Sequence, residues 1–434
     1  MSIFKIKYNR LGLYRSLYFL FYPFLSLIFY FDILVFLLLL SAAFSQTTLG
    51  FAPAFYFIKW GVLIFFIICE YLILNFISIN DYESQKVEIP TSYIFLLLFL
   101  IYISITSLYS EDVKISIFKS FTFFFLIFTT LVLIPILARR FSKRKSIIKS
   151  VYIFLIIMLV MNVLAFKIYP RAPQSPYMTI RFRGFFENPN TLGMICFVAV
   201  PLLLYKYKTA KSTILKFFNL LFILSAIILP IIAASRASLL GIGIVIAVYF
   251  YYYYRRLFYF CTILSLVAIF FVLISPVLLE LMRLAEDPLS QRDKVWELGL
   301  AAWKENFFFG AGYGTTENFT NNKYLFMTKG LTEFVLGKRF NNIYIEILYE
   351  TGIIGLTLFS TSIGFLMRET YSIVKKTFDE EKVFSVCYFG LLIAVIFQGI
   401  FESFILSAGN ASSLIFWILT GLVIFENNKR HFLE

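Results

Sequence analysis

Long apolar runs separated by short polar segments are the main pattern along the chain. A helix needs about 20 apolar residues to cross a bilayer, and about twelve runs approach that length. They fall at roughly 19–45, 53–79, 91–108, 115–138, 148–168, 188–206, 214–233, 238–254, 257–277, 343–367, 383–403 and 406–425. The pattern therefore predicts an all-α fold, a polytopic membrane helix bundle with about twelve transmembrane helices.

The composition supports a membrane protein. Hydrophobic residues make up 60% of the 434 positions, and the mean hydropathy is +0.84. A soluble core needs far less apolar surface, so these values exclude the soluble globular class. The net charge of +14 comes from short basic clusters between the apolar runs. Such clusters are typical of cytoplasmic membrane loops, and we expect no nucleic-acid partner.

The longest polar segment lies between the ninth and tenth apolar runs. We expect a single membrane domain in three parts: nine transmembrane helices in 1–277, a large outer loop with short helices in 278–342, and three transmembrane helices with a tail in 343–434. Within the loop, Arg292 to Asn306 should form a helix with Trp296, Leu300 and Trp303 on its apolar face. That helix would lie either along the outer membrane interface or on top of the bundle.

Lysines and arginines between the runs set the expected orientation. With twelve spans, the basic N-terminus and the clusters at 139–145, 206–216 and 255–256 all fall on one side. By the positive-inside rule that side is the cytoplasm, so both termini should be cytoplasmic. The opposite side then receives 169–187, Ser235-Arg236, the loop 278–342 and the turn near 404–405.

Several kinds of chemistry are excluded by the residues themselves. The single histidine is His431, in the expected cytoplasmic tail, which excludes a histidine base or a zinc site of the H-E-x-x-H type on the outer face. The chain has no Walker A motif and no D-x-D pair. The four cysteines lie singly inside apolar runs, where buried hydrophobes are the better interpretation than disulfides or zinc. We expect no cofactor and no metal.

Arginines beside predicted helix starts indicate an anion site. Arg181 and Arg183 precede Asn188-Pro189, which is typical of an N-cap followed by proline in the first turn. Ser235 can cap the next outer helix start beside Arg236, and Asn341 or Asn342 can cap the helix beginning near Ile343. Helix N-termini and guanidiniums together favour a phosphate or diphosphate. The alternative for Arg181 and Arg183 is snorkelling at the membrane interface.

Three acidic residues lie near the same expected surface. Asn342, Glu346 and Glu350 are spaced i, i+4, i+8 and so share one helix face, while Glu402 lies near the outer end of the next run. Carboxylates inside a bundle mouth are costly unless they have a task. We consider two tasks, catalysis and structural pairing with an arginine.

The motifs as a set resemble the O-antigen ligase/polymerase family of bacterial surface-polysaccharide assembly. The resemblance runs over roughly 180–355, from Arg181-x-x-Gly184 and Asn188-Pro189-Asn190 through Ser235-Arg236 and Arg292-x-x-x-Trp296. It continues through Gly310-x-Gly312-x-Gly314 and Asn341-Asn342-x-Tyr344-x-Glu346 to Glu350-x-Gly352. It implies an inverting, metal-independent glycosyltransferase of the bacterial inner membrane.

Substrates and site residues follow from the same resemblance. The donor and acceptor would be oligosaccharides on undecaprenyl diphosphate, in contact with membrane lipid, and a chain-length regulator and a flippase are candidate partners. The implied diphosphate-binding residues are Arg181, Arg183, Asn190, Arg236, Arg292, Asn341, Asn342 and Tyr344. The candidate catalytic residues are Arg236, Glu346, Glu350 and Glu402.

One departure from the family pattern bears on the reaction. The ligases carry His-Asn where this chain has Asn341-Asn342, and asparagine cannot take a proton at neutral pH. Either one of the glutamates is the base, or stabilisation of the leaving group carries most of the rate. The departure favours a polymerase that joins lipid-linked repeat units. The alternatives are a ligase acting on lipid A–core or protein, and a lipid-linked glycan transporter or flippase.

Overall fold

The computed structural model describes residues 31–76, 89–140, 142–168, 181–275, 292–316 and 340–427. Within these ranges the chain is built from helices, and an isolated bridge pairs Thr47 with Phe186. The helices are α1 Phe31–Phe44, α2 Ala52–Phe76, α3 Thr91–Thr106, α4 Val113–Phe128, α5 Ile134–Arg140, α6 Arg144–Ile168, α7 Pro189–Thr209, α8 Thr213–Ile232, α9 Arg236–Tyr253, α10 Arg255–Ile274, α11 Arg292–Glu305, α12 Ile343–Lys376, α13 Asp379–Gln398 and α14 Ala411–Asn427. A π-helical turn, Thr129–Leu133, joins α4 to α5.

The predicted all-α class is confirmed for the described residues. Each of the predicted apolar runs overlaps a helix, with α4 and α5 sharing one run. Six described helices are long and apolar enough to cross a membrane: Val113–Arg139, Arg144–Lys167, Pro189–Thr209, Thr213–Ile232, Arg236–Tyr253 and Ile343–Lys376. The number of about twelve spans stays a prediction. The part of the first run before residue 31 and most of the predicted loop 278–342 lie outside the described residues.

Helix α7 forms the centre of the bundle. Its residues are buried from Thr191 to Tyr205, and it packs against α8, α9 and α13. A helix that other helices enclose has apolar residues on all its sides, which explains why this run shows little amphipathic pattern. The first turn of α7 therefore leads directly into the buried centre of the bundle.

Many of the segments that connect the helices contact one another at one end of the bundle, here called the site end. Glu187 N donates to Gln46 O at 3.0 Å, and Tyr109 Oη donates to Phe309 O at 2.7 Å. Ile343 N donates to Gly399 O at 2.8 Å. At the other end, Arg144 pairs with Glu381. The prediction assigned these two sets of segments to opposite membrane sides, and the contacts agree with that grouping.

Helix α12 is kinked at Gly352, where φ is 63° and ψ is −168°. The kink leaves backbone amides and carbonyls of α12 without partners inside the helix. The turn after α11 provides the hydrogen-bond partners for these groups. Ile353 N donates to Phe307 O at 3.0 Å, and Gly312 N donates to Glu350 O at 2.9 Å. The glycine-rich turn is thus docked onto the break in α12, which satisfies the backbone groups that the kink exposes.

The helix predicted from Arg292 to Asn306 is present as Arg292–Glu305, but the face that it buries only partly coincides with the predicted apolar face. Val295, Leu298, Gly299 and Ala302 are buried, whereas Leu300 is 37% exposed. The side chains that pack with this face are those of Phe340, Ile345 and Tyr349. Small residues face α12 because the two backbones approach closely, and the bulky tryptophans flank the contact. Helix α11 therefore packs on the bundle, the second of the two expected positions.

Candidate functional site

Arg181 ties the segment before α7 to the turn between α8 and α9. Its Nε donates to Ala233 O at 2.9 Å, and its Nη2 donates to Ala234 O at 3.1 Å. These carbonyls end α8 immediately before Ser235 and Arg236. A guanidinium carries five fixed donors and is well suited to join helix-end carbonyls to a third partner. The structure thus brings Arg181 beside the turn that carries Arg236, as the sequence predicted.

The start of α7 has the predicted cap. Asn188 Oδ1 accepts from Asn190 N at 2.8 Å, and Pro189 occupies the first turn. Ser235 is the N-cap residue of α9, but its side chain makes no capping bond and instead donates to Ser238 Oγ at 3.0 Å. The prediction that its side chain caps α9 is therefore wrong, because a neighbouring hydroxyl on the same turn takes the hydrogen bond.

Glu402 connects the arginines into one network. Its Oε1 accepts from Asn190 Nδ2 at 2.7 Å and from Arg292 Nη2 at 2.9 Å. Asn190 in turn accepts from Arg181 Nη2 at 2.9 Å. The pairing with an arginine that we considered for the acids is thus present at Glu402. We call Arg181, Asn190, Arg292 and Glu402 the arginine network.

The electrostatics of Glu402 follow from its position between these partners. Its side chain is 11% exposed, and burial raises the pKa of Glu402 because the charged form loses solvation. Arg292 is the main opposing influence, since its guanidinium lies beside the carboxylate and favours the ionised form. The carboxylate and its guanidinium thus depend on each other, as expected of a partly buried ion pair.

Arg183 lies near Arg181 in the sequence, and Arg236 lies two residues after Ala234, whose carbonyl accepts a hydrogen bond from Arg181. Both are half-buried. Arg183 is two residues from Arg181, and Arg236 is the first residue of α9, where the helix N-terminus adds a partial positive charge. The four predicted anion-binding arginines therefore converge on the site end of the bundle.

The predicted Asn341-Asn342 turn has a clear structural task. Asn342 Oδ1 accepts from Tyr344 N at 3.0 Å and from Ile345 N at 3.2 Å, so Asn342 is the N-cap of α12. Asn341 has a φ of 50°, which asparagine tolerates better than most residues. Tyr344 Oη donates to Ile396 O at 2.7 Å and joins α12 to α13. These three residues fix the start of α12. Because Asn342 Oδ1 and Tyr344 Oη bond within the protein, a substrate would contact other atoms of these residues.

Glu346 and Glu350 line one cleft at the site end, with a volume of about 500 Å³. Glu346 Oε1 accepts from Ser403 Oγ at 2.8 Å, and Glu350 Oε1 accepts from Thr316 Oγ1 at 2.5 Å. Both acids are buried. The cleft lining consists of Tyr56, Lys59, Trp60, Lys114, Ile115, Phe118, Lys119, Thr122, Tyr313, Gly314, Thr316, Glu346, Glu350, Leu406, Ser407, Ala408 and Gly409.

Three lysines of this cleft were missed by the sequence analysis. Lys59 lies in the apolar run 53–79, and Lys114 and Lys119 lie where the run 115–138 begins. A signal was available for Lys59, because a lone charge inside an apolar run is costly and usually has a partner or a function. For Lys114 and Lys119 the sequence has no comparable signal, since lysines at the end of a membrane helix are common.

Comparison with known proteins agrees with the resemblance noted in the sequence. Residues 220–360 match a family model described as O-Antigen ligase, which confirms that resemblance. The matched range begins within α8 and ends within α12, so it includes Arg236, Arg292 and Glu346 but neither Arg181 nor Glu402. A search of curated proteins found no match for the chain.

Proposed function

We propose that this chain, which matches the O-antigen ligase family over residues 220–360, is a polysaccharide polymerase of the bacterial inner membrane. It would join undecaprenyl-diphosphate-linked repeat units into O-antigen or capsular polysaccharide at the outer membrane face. The family gives a membrane enzyme that transfers glycans from lipid-linked substrates. The choice of polymerase, donor and residue roles is our proposal.

The observation that carries the proposal is the arginine network beside an acid-lined cleft. Arg181, Asn190, Glu402 and Arg292 form one hydrogen-bonded chain next to the turn that carries Arg236. The residue after Glu402 is Ser403, which donates to Glu346 in the cleft. Cationic and acidic groups therefore lie on two sides of one short turn, as a group transfer with an anionic leaving group requires.

The proposed reaction is a direct displacement at the anomeric carbon of the donor sugar. An acceptor hydroxyl forms the new glycosidic bond, the bond between the anomeric carbon and the diphosphate oxygen breaks, and the hydroxyl proton passes to a carboxylate. Arg181, Arg236, Arg292 and Arg183 hold the departing diphosphate through charge-assisted hydrogen bonds. The diphosphate linkage is already activated, so the step needs no nucleotide.

Glu346 and Glu350 are the candidate bases in this scheme. Each accepts a hydrogen bond from a neighbouring hydroxyl, from Ser403 and Thr316 respectively, which fixes the orientation of the carboxylate in the cleft. Asn341 has no basic atom. Glu402 already bonds Asn190 and Arg292, and we assign it to positioning the arginines rather than to proton transfer.

A ligase is the second candidate because the matching family model carries that description. A ligase would move the finished glycan to lipid A–core or protein. The Asn341-Asn342 pair in place of the histidine of the ligases counts against it. The polysaccharide banding pattern of a deletion strain separates the two: a single attached repeat unit indicates a polymerase, and free long chains indicate a ligase.

Arg236→Ala tests the diphosphate role. One charge-assisted hydrogen bond is worth about 1.5–3 kcal/mol, so we expect loss of long-chain polymer in cells and only partial recovery with Arg236→Lys, which lacks the bidentate fork. Arg256→Ala is the control, an exposed arginine in the first turn of α10, just beyond the opposite end of α9. Unchanged polymer length in Arg236→Ala would refute the role. Lengthening of lipid-linked glycans by the purified protein in detergent would exclude a flippase.

A further inference from the structure

The cleft at the site end contains a cationic group separate from the arginine network. Lys59 comes from α2, and Lys114 and Lys119 come from the first two turns of α4. We call this cavity, with Glu346 and Glu350 on its wall, the lysine cleft. Its volume of about 500 Å³ lies within the range of about 300–1,000 Å³ that small-ligand sites occupy.

Lys59 is the most informative residue of the lysine cleft. It is 4% exposed, and its Nζ lies 4.5 Å from the ring centre of Tyr56 and 5.1 Å from that of Trp60. Its Nζ also donates a long hydrogen bond, 3.5 Å, to Ser45 Oγ. Among the described residues, the ion pairs within 4.0 Å do not include Lys59. A buried ammonium with no carboxylate in ion-pair contact among the described residues is costly, and an anion that enters the cleft would be held strongly.

The remaining walls of the cleft fit a sugar. Tyr56, Trp60, Phe118 and Tyr313 contribute aromatic rings, and the rings of Trp60 and Phe118 lie 6.2 Å apart at 68°. Aromatic faces pack well against the C–H faces of a pyranose ring, while a few placed polar groups fix its orientation. Lys119 Nζ donates to Gly314 O at 3.0 Å, so the glycine-rich turn holds one of the cationic side chains in place.

We propose that the lysine cleft binds the acceptor glycan and selects a sugar that carries an acidic group, a carboxylate or a phosphate. The inference rests on the proposed function, because it places the attacking hydroxyl beside Glu346 and Glu350. Lys59 and its neighbouring lysines hold the acidic group, and the aromatic rings hold the sugar. Lysine suits this task because a single anionic substituent needs a point charge, whereas a diphosphate suits the forked donors of arginine.

The test measures glycan binding by the purified full-length protein, with Trp60 fluorescence as the signal. Probes are oligosaccharides substituted with hexuronate, sialate or glycerol phosphate, each with its uncharged parent. We expect at least one acidic probe to bind about tenfold or more tightly than its parent, the effect of one charge-assisted bond. The signal should vanish in Trp60→Phe. Equal binding of every acidic probe and its parent would overturn the inference.

Variants locate the acid preference. Lys59→Gln should remove it and Lys59→Arg should keep most of it, while Lys114→Gln, at an exposed position that tolerates change, should weaken it several-fold. Lys211→Gln is the control, an exposed lysine in the connection between α7 and α8. An acid preference that survives both Lys59→Gln and Lys114→Gln would refute the site.

A competition experiment identifies the source of the anion. Inorganic diphosphate and undecaprenyl phosphate should leave the acidic probe bound. Displacement of the probe by either would overturn the inference in favour of a lipid phosphate site. Because these measurements report binding alone, they fail independently of the polymerisation assay. A protein that binds acidic glycans without lengthening them would refute the polymerase and not the cleft.

Discussion

Gly352→Ala tests how the kink in α12 is maintained. The backbone there has φ 63° and ψ −168°, a region that only glycine adopts readily, and a residue forced into it costs on the order of 1–3 kcal/mol. A Cβ at this position would lie 2.2 Å from Phe308 O, a backbone atom with little freedom to move. Moving it would disturb the bond from Ile353 N to Phe307 O, worth about 1 kcal/mol. We expect a total destabilisation of about 2–4 kcal/mol.

The assay is thermal unfolding of the purified protein in detergent, followed by size-exclusion chromatography of the remaining folded fraction. Gly364→Ala is a matched control, since Gly364 lies in the same helix and a Cβ there would meet no atom within 4 Å. In a helix interior alanine is favoured over glycine by about 1 kcal/mol, so the control should be neutral or slightly stabilised. Equal unfolding midpoints for the two variants would show that the kink does not depend on glycine.

Three further predictions concern the site end. Arg292→Gln leaves the Glu402 carboxylate without its cation, and we expect the free energy of unfolding to fall by about 1–3 kcal/mol. The loss should be smaller in the double variant that also carries Glu402→Gln. Burial raises the pKa of Glu402, so its carboxyl contributes most stability at low pH and loses that contribution as pH rises through the folded-state pKa. The unfolding midpoint of wild type relative to Glu402→Gln should therefore fall with rising pH. A difference between the two midpoints that does not change with pH would contradict this prediction. Asn342→Ala removes the cap of α12 and should cost about 1 kcal/mol, with Asn342→Asp close to wild type in the same unfolding assay.

Local signals in the sequence were sufficient for much of the fold. The apolar runs located the helices because each run is long, and the Asn188-Pro189 cap was recognisable because it depends on adjacent residues. The contact face of α11 differs in part from the predicted apolar stripe for a physical reason. Tryptophan and leucine spacing identified an apolar stripe, but the close approach of α12 selected the small residues Gly299 and Ala302 for the contact.

The candidate site was predictable only in part. The arginines stood out because cations beside helix starts have few structural explanations. Glu402 links Asn190, which is 212 residues away in the sequence, to Arg292, which is 110 residues away. A single sequence carries no signal of such distant contacts. The lysine cleft is formed by four separate segments together with α12 and was missed for the same reason. Only Lys59 violated a local rule that a reader of the sequence could have applied.

The two cationic groups at the site end differ in the kind of anion they favour. Arginines hold the diphosphate in our scheme, and lysines hold the acidic group of the acceptor. The adjacent residues Glu402 and Ser403 face the two groups, one bonded to Arg292 and the other to Glu346 in the lysine cleft. Because a single peptide unit joins these contacts, a shift of the turn at 399–410 would move both. In our scheme these few buried hydrogen bonds would set the distance between the leaving group and the attacking hydroxyl, and orientation of this kind supplies a large part of the rate in a transfer between two bound substrates.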